Sequence, residues 1–334
     1  MSVARQKQPS GIGIKGIGAY VPDEVLTNKD LEKMVDTSDE WITERTGIKK
    51  RRRAAPHEAT SDLASEAARR ALEDANISID EIDAIIVGTA TPDMLFPSTA
   101  CLVQKNLGST GVPAFDISAA CSGFLYGLSI AEGFVRSGLY RNVLVVGAET
   151  LTRILDWNDR ATCVLFGDGA GAAVVGHVGD GRGIISLFLG SDGSLGELLM
   201  LPAGGSRLPA SEETVRKRLH FVKMEGNKLY KFAVRAMAAA ASKVLEDSGY
   251  TGADLDLLVP HQANLRIIDA TAQRIGIDQS KVYINIDEYG NTSAASIPIA
   301  LDEAKRKGLL KEGMLVELVS FGGGLTWASC LMVW

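Results

Sequence analysis

At 334 residues the chain can bury one large core or two medium ones, and 46% hydrophobic with 23% charged residues is an ordinary globular composition. A formal net charge of −6 argues against nucleic acid as a bulk partner, and no apolar run approaches the roughly 18 residues that span a bilayer. Four scattered cysteines, Cys101, Cys121, Cys163 and Cys330, form no C-x-x-C pair, which argues against a disulfide framework or a structural zinc site.

The N-terminal M-S-V-A-R-Q-K-Q-P-S is polar and has no apolar core, so it does not read as a signal peptide, and a cytoplasmic location is expected. Gly11-Ile-Gly13-Ile-Lys15-Gly16 fits G-x-G-x-x-G formally, but no strand precedes it and the next residues run into Pro22 instead of opening a helix. A first strand punctuated by glycines is expected there, not a dinucleotide site. The basic run Lys49 to Arg53 reads either as a solvated loop or as part of a binding mouth.

Residues 68–87 (A-R-R-A-L-E-D-A-N-I-S-I-D-E-I-D-A-I-I-V) align without gaps on 241–260 (A-S-K-V-L-E-D-S-G-Y-T-G-A-D-L-D-L-L-V-P), and both read helix, turn, strand. Five of the twenty positions are identical, and Ile82/Leu255, Ile85/Leu258 and Ile86/Val259 keep the apolar pattern. Further on, V-P-A-F-D-I-S-A-A-Cys121 is answered by K-V-Y-I-N-I-D-E-Y-G-Asn291, and R-N-V-L-V-V-G by G-M-L-V-E-L-V-S. Each half is expected to run helix, strand, helix, strand, a helix beginning at Cys121 or Asn291, and a further strand. Such alternation gives mainly parallel sheets covered by helices. The halves divide as residues 11–180, with the candidate nucleophile, and 181–334.

Cys121 stands where an apolar strand, 112–117, yields to a helix. A thiol there faces unpaired N–H groups and the positive end of the helix dipole, which favour thiolate and can hold an oxyanion. Ligand sites in open α/β sheets gather at the carboxyl ends of strands. That rule adds His261, after L-D-L-L-V-P, and Asn291, after V-Y-I-N-I. The internal alignment makes Cys121 and Asn291 pseudo-equivalent, so the two should meet near the axis relating the halves. A glycine triplet, Gly322 to Gly324, ends another strand and lets bare backbone approach a substrate. Singly these are an inert thiol, a loop histidine, a helix N-cap and a turn. At matching strand ends they read as one site. F-G-D-G-A-G-A-A-V-V, 166–175, is expected to be a tight turn, and Cys101, Cys163 and Cys330 packed core thiols.

Five segments in order, D-E-W-I-T-E-R-T-G-I, A-A-C-S-G-F, P-H-Q-A-N-L-R-I-I, G-N-T-S-A-A-S-I-P and F-G-G-G-L-T-W, resemble β-ketoacyl-acyl-carrier-protein synthase III, the initiating condensing enzyme of bacterial fatty acid synthesis. The resemblance runs from about Gly13 to Trp334. It implies an α/β chain of the thiolase-like fold, duplicated and five-layered (αβαβα), working as a homodimer. It also implies that Cys121 takes an acyl group from acyl-CoA, with the N–H groups of Cys121 and Gly323 as the oxyanion hole. Malonyl-acyl-carrier protein would then lose CO2 while His261, through Nε2, and Asn291, through its amide, hold the enolate, and the carbanion would attack the acyl-cysteine. Thr37, Trp41, Arg45 and Arg160 are the implied CoA contacts, with Asn227 against pantetheine. Phe96 is the implied residue that a partner subunit inserts at the end of the acyl pocket, and Lys231, Arg266 and Arg274 would dock the acidic carrier protein. No metal or cofactor is implied, the CoA thioester being a substrate. Tyr230 departs from the Phe that such enzymes often have, which leaves primer preference open. The rival readings are a polyketide or quinolone starter enzyme using malonyl-CoA and, in another class, a silent acyl- or CoA-binding subunit.

Overall fold

The computed structural model describes residues 6–334, so the polar N-terminus read above lies partly outside the described residues. Numbering only the elements of the two repeats, the first sheet holds β1 (Ile12–Tyr20), β2 (Ala84–Gly88), β3 (Ala114–Ile117), β4 (Asn142–Glu149) and β5 (Gly169–His177), in the order β1-β5-β4-β2-β3. The second holds β6 (Gly183–Ser191), β7 (Leu257–Pro260), β8 (Leu315–Gly322) and β9 (Thr326–Val333), in the order β6-β9-β8-β7. The two orders are the same. The place of β3 is taken in the second sheet by a single parallel bridge from Leu258 to Val282.

Strand residues alternate between two apolar layers, because both faces of each sheet are covered by helices. Ile85 and Val87 pack with Leu63, Ala67 and Ala71 of α1 (Thr60–Ala75) and Val103 of α2 (Thr99–Asn106), whereas Ile86 packs with Phe124, Leu125 and Leu128 of α3 (Gly123–Arg136). On the other sheet Leu258 packs with Met237 and Leu245 of α4 (Gly226–Ser248) and Ile268 of α5 (Leu265–Ile275). Val259 instead joins Ile297 and Leu301 of α6 (Ser296–Arg306) in the same cluster as Ile86. Helices α3 and α6 thus lie between the sheets, and five layers result. Glycine shapes the outer face: a Cβ on Gly18 would stand 2.4 Å from Ala71 N, so α1 rests directly on β1.

The repeat holds at an offset of 173 residues. Helices α1 and α4 end at Ala75 and Ser248, each followed by a left-handed cap, Asn76 at φ 53° and Gly249 at φ 74°. Among the five identities, Asp83 accepts the backbone N–H of Asn142 at 3.0 Å, and Asp256 accepts that of Leu315 at 2.8 Å. Each carboxylate pins the first residue of the neighbouring parallel strand, β4 or β8.

Five expectations change. Val282 sits 168 residues after Ala114, its counterpart in strand pairing, whereas Ser296 begins α6 173 residues after Gly123 begins α3. The longer second connection forms the short helix Ile286–Tyr289, and what was read as the strand K-V-Y-I-N-I keeps only the bridge. Ala294, not Asn291, therefore corresponds to Cys121; Asn291 belongs to the added length. Gly169 and Gly171 of G-D-G-A-G open β5 in place of a turn, with Asp168 buried just before it and accepting the Ala54 and Thr152 N–H groups. The basic run is neither a solvated loop nor a mouth: Lys50–Arg53 is a strand paired with Glu24–Thr27, Arg53 pairs with Glu24, and Arg51 is fully buried against three oxygens. Cys101 is exposed on α2, while Cys163 and Cys330 are buried as expected.

Candidate active site

Cys121 occupies a 3-10 turn, Ala120–Ser122, that leads into α3, and is 7% exposed. Ala120 has φ 44°, and Ser293, in the matching turn before α6, has φ 49°. Gly322, the last residue of β8, lies against the nucleophile. A Cβ there would be 2.6 Å from Cys121 N and 3.1 Å from Cys121 Cβ, so only glycine fits.

His261 follows β7 and is 1% exposed. Its Nδ1 is 2.6 Å from Ser296 Oγ, which also accepts the Gln262 N–H at 3.4 Å. With the serine hydroxyl donating, Nδ1 accepts and the ring hydrogen stands on Nε2. Burial pushes the imidazole down to about 3, so the ring is neutral. Asn291 is fixed by its backbone, which donates to Leu165 O at 2.9 Å and accepts from Gly167 N at 3.0 Å. Its Oδ1 accepts the Ser293 N–H at 2.8 Å, so the carboxamide NH2 is its free end.

A cavity of about 620 Å³ is lined by Cys121, His261, Asn291 and Gly322 among its buried residues and by Trp41, Arg45, Arg160, Asn227, Tyr230 and Arg266 farther out. Trp41 is carried on the short helix Asp39–Thr46, capped by Ser38. The Arg45 and Arg160 guanidinium carbons each lie 4.8 Å from its ring centroid. A second cavity of about 310 Å³ shares Cys121, Phe166 and Leu199 with the first and is bounded by Leu151, Ile154, Val222 and Gly323. The thiol stands where the two meet.

Not every expected residue comes here. Thr37 lines neither cavity, and its Oγ1 is buried without a hydrogen-bond partner. Lys231 and Arg274 are exposed outside both. Phe96 is 84% exposed and reaches neither cavity of its own chain. Sequence reading missed Gly322's direct contact, Ser293, Ser296 and Glu149. The run S-A-A-S after Asn291 offers two serines but no sign of which atoms they hold.

The thiolate expectation is also corrected. Burial pushes the Cys121 thiol up to about 12, with Ser293 acting against that rise and Glu149 adding to it. The resting group is the thiol. Among the described residues no cluster of three or more His, Cys, Asp or Glu is placed to hold a metal ion, and no helix is long and apolar enough to cross a membrane.

Residues 115–193 match the family profile for 3-oxoacyl-[acyl-carrier-protein (ACP)] synthase III, and residues 245–334 the profile for its C-terminal part. A beta-ketoacyl-[acyl-carrier-protein] synthase III from Caldanaerobacter subterraneus subsp. tengcongensis is 63% identical over 322 residues, 96% of this chain and 97% of that protein. One from Clostridioides difficile is 56% identical over 96% of this chain and 98% of its own length. The crystal structure of 3-oxoacyl-[acyl-carrier-protein] synthase III from Aquifex aeolicus VF5 is 51% identical, with TM-score 0.90 over 97% of this chain and all of that one (100%). The priming β-ketosynthase of the R1128 polyketide pathway is 37% identical, with TM-score 0.89 over 99% and 98%. The duplicated five-layered body is the thiolase fold these structures share. With identity above one half along nearly the whole length, the chain belongs to the β-ketoacyl-[acyl-carrier-protein] synthase III family.

Proposed function

We propose that the chain initiates fatty acid synthesis by condensing a short acyl-CoA with malonyl-acyl-carrier protein, giving 3-ketoacyl-acyl-carrier protein, CoA and CO2. The observation that carries this reading is the convergence of Cys121 from one half with His261 and Asn291 from the other on a single cavity with an arginine-flanked tryptophan. We take the halves as residues 11–180 and 181–334.

Acyl-CoA enters the larger cavity with its adenine against Trp41 and Arg160, Arg45 and Arg266 facing its phosphates and Asn227 its pantetheine. Cys121 Sγ attacks the thioester carbon, the backbone N–H groups of Cys121 and Gly323 receive the oxyanion, and CoA leaves. The acyl chain then occupies the smaller, mostly apolar cavity. Malonyl-acyl-carrier protein follows, its acidic surface meeting Arg266, Lys231 and Arg274. His261 Nε2–H and the Asn291 NH2 donate to the thioester oxygen as CO2 departs, each contributing on the order of 3 kcal/mol to the enolate-like transition state. A neutral histidine suits the step, since a cation would hold the carboxylate that must leave. No redox or metal chemistry enters, so the reading needs no cofactor. The exposed Leu95 and Phe96 fit a homodimer in which each chain closes its partner's smaller cavity. The cytoplasm, where these substrates are made, is the location we assign.

Incubation with labelled acetyl-CoA and then malonyl-acyl-carrier protein tests the proposal. Label on Cys121 that moves into a 3-ketoacyl product supports it; no transfer from any short acyl-CoA overturns it. Efficient extension from malonyl-CoA in place of the carrier-bound substrate would favour the polyketide starter reading.

A further inference from the structure

The basic run has no part in the chemistry above, yet its central residue lies fully inside the protein. Arg51 Nη1 donates to Asn28 Oδ1 at 2.8 Å and to Leu26 O at 3.3 Å, and Nη2 donates to Val164 O at 2.7 Å. All three acceptors are neutral. Burial lowers the guanidinium to about 10, which leaves it charged at neutral pH. A buried cation loses hydration that neutral acceptors offset only in part, and an apolar side chain could fill the space without that loss. What the guanidinium supplies is a rigid fork that meets three segments at fixed angles.

Two of those segments lead to the site. Asn28, 1% exposed, passes the tie on: its Nδ2 donates to Asp39 Oδ1 at 2.8 Å and to Ile48 O at 2.7 Å, gripping the eight-residue helix that carries Trp41 at its first residue and just past its last. Val164 caps the four-residue helix that carries Arg160, and its neighbour Leu165 accepts the Asn291 N–H at 2.9 Å. Helices this short do not hold themselves in water, so the placement of Arg160 4.8 Å from the Trp41 ring depends on such ties. The same run also faces the connection that ends in Asn291. Lys49 N–H donates to Asp287 O at 3.1 Å, Lys50 pairs with Glu288 at 2.7 Å, and a Cβ on Gly167 or Gly290 would stand 2.9 or 3.2 Å from Arg51 Cβ. Gly290 precedes Asn291, and Gly167 donates its N–H to Asn291 O at 3.0 Å. We infer that Arg51 is a positioning residue that fixes the CoA clamp of Trp41 and Arg160 relative to the decarboxylation amide of Asn291. This rests on the proposed condensation. Arg51 lines neither cavity and acts only through the segments it joins.

The test measures KM for acetyl-CoA in acylation of Cys121, and kcat for CO2 release from malonyl-acyl-carrier protein, in the wild type, Asn28→Asp, Arg51→Met and Arg51→Lys. Asn28→Asp is isosteric and gives Arg51 a counter-charge, so the fold keeps it, but it takes both donors from the Trp41 helix and sets a carboxylate against Asp39. It should raise KM about 10-fold and leave CO2 release within about twofold. Adding Trp41→Ala to it should raise KM by no more than about twofold further, because the clamp is already lost. Arg51→Met fits the space but releases all three oxygens, so it should raise KM about 10-fold and also slow CO2 release about 10-fold, through the tie beside Leu165. Arg51→Lys keeps the charge without the fork and should recover less than about threefold of either loss. The inference is overturned by an unchanged KM or a parallel loss of CO2 release in Asn28→Asp, by additivity with Trp41→Ala, by normal CO2 release in folded Arg51→Met, or by full recovery in Arg51→Lys. Asn28→Asp decides the matter even where Arg51→Met does not fold. Wild-type protein that never forms acyl-Cys121 would overturn the proposed function and this inference with it, whereas the variant outcomes bear on the inference alone.

Discussion

Replacing Ser296 by Ala isolates what holds His261 in its working form. The 2.6 Å contact to Nδ1 joins two buried groups, and the other partner of the serine, Gln262 N–H, is 3.4 Å away. Alanine leaves the Nδ1 lone pair buried without a donor, a loss on the order of 1–3 kcal/mol. The ring can relieve part of that only by moving its hydrogen to Nδ1, which removes it from the enolate oxygen. Ser296→Ala should therefore slow decarboxylation by about 5- to 100-fold, at roughly 1.4 kcal/mol per decade. Acylation of Cys121 does not use Nε2–H and should change less than about threefold. Measured CO2 release against incorporated label separates the two. Unchanged decarboxylation, or equal loss of both rates, would refute the assignment of the tautomer to Ser296.

Gly322→Ala puts a methyl within 2.6 Å of Cys121 N, so acylation should fall by about 100-fold or more, with a loss of about 1–3 kcal/mol in denaturant unfolding. Trp41→Ala should raise KM for acyl-CoA about 5- to 30-fold with kcat little changed, since stacking of a base is worth about 1–3 kcal/mol and is made equally in ground and transition states. Arg266→Glu should raise KM for malonyl-acyl-carrier protein and weaken its salt dependence, read by steady-state kinetics at two ionic strengths. Glu317 is fully buried on β8 with one oxygen unpartnered, and burial lifts its carboxyl to about 8. Its folded-state value lies above the unfolded one, so stability is full below the unfolded value and falls by about 1.4 kcal/mol per pH unit up to about 8. Glu317→Gln should accordingly leave Tm nearly unchanged at pH 5 and raise it at pH 9.

The repeat was legible because it is written in residues with the same physical duty in both halves. Asp83 and Asp256 each receive a strand's first N–H group, and Ile85/Leu258 and Ile86/Val259 alternate between the same two layers. Cys121 and His261 could be picked out because strand ends are where such sheets place ligands. The correspondence of Cys121 with Ala294, in place of the Asn291 that pattern suggests, was not recoverable from sequence: the extra residues of the second connection sit in a polar stretch that carries no period. The thiol's state was misread for a related reason. A helix start is local and visible in sequence, whereas the burial that opposes it comes from β8 and the other half of the chain.

The duplicated framework explains why the site is asymmetric. At the offset of 173, Gly88 corresponds to His261 and Gly123 to Ser296. In the first half a Cβ on Gly123 would stand 3.1 Å from Gly88 Cα, so strand end and helix start touch backbone to backbone. In the second half the same two positions carry an imidazole and a hydroxyl 2.6 Å apart. Glu149 and Gly322 are exchanged the other way: one strand end supplies a buried carboxyl group, and its counterpart is bare so that Cys121 can lie against it. Cys121 in turn corresponds to Ala294, and Ser293 to Ala120. In each pair one half holds the reactive group and the other the small residue that makes room for it. Two fully functional halves would crowd four side chains into the space of two, so packing at the axis between the sheets demands this division of labour. Filling either glycine of the first half should therefore damage the site as surely as removing His261, although neither glycine carries chemistry of its own.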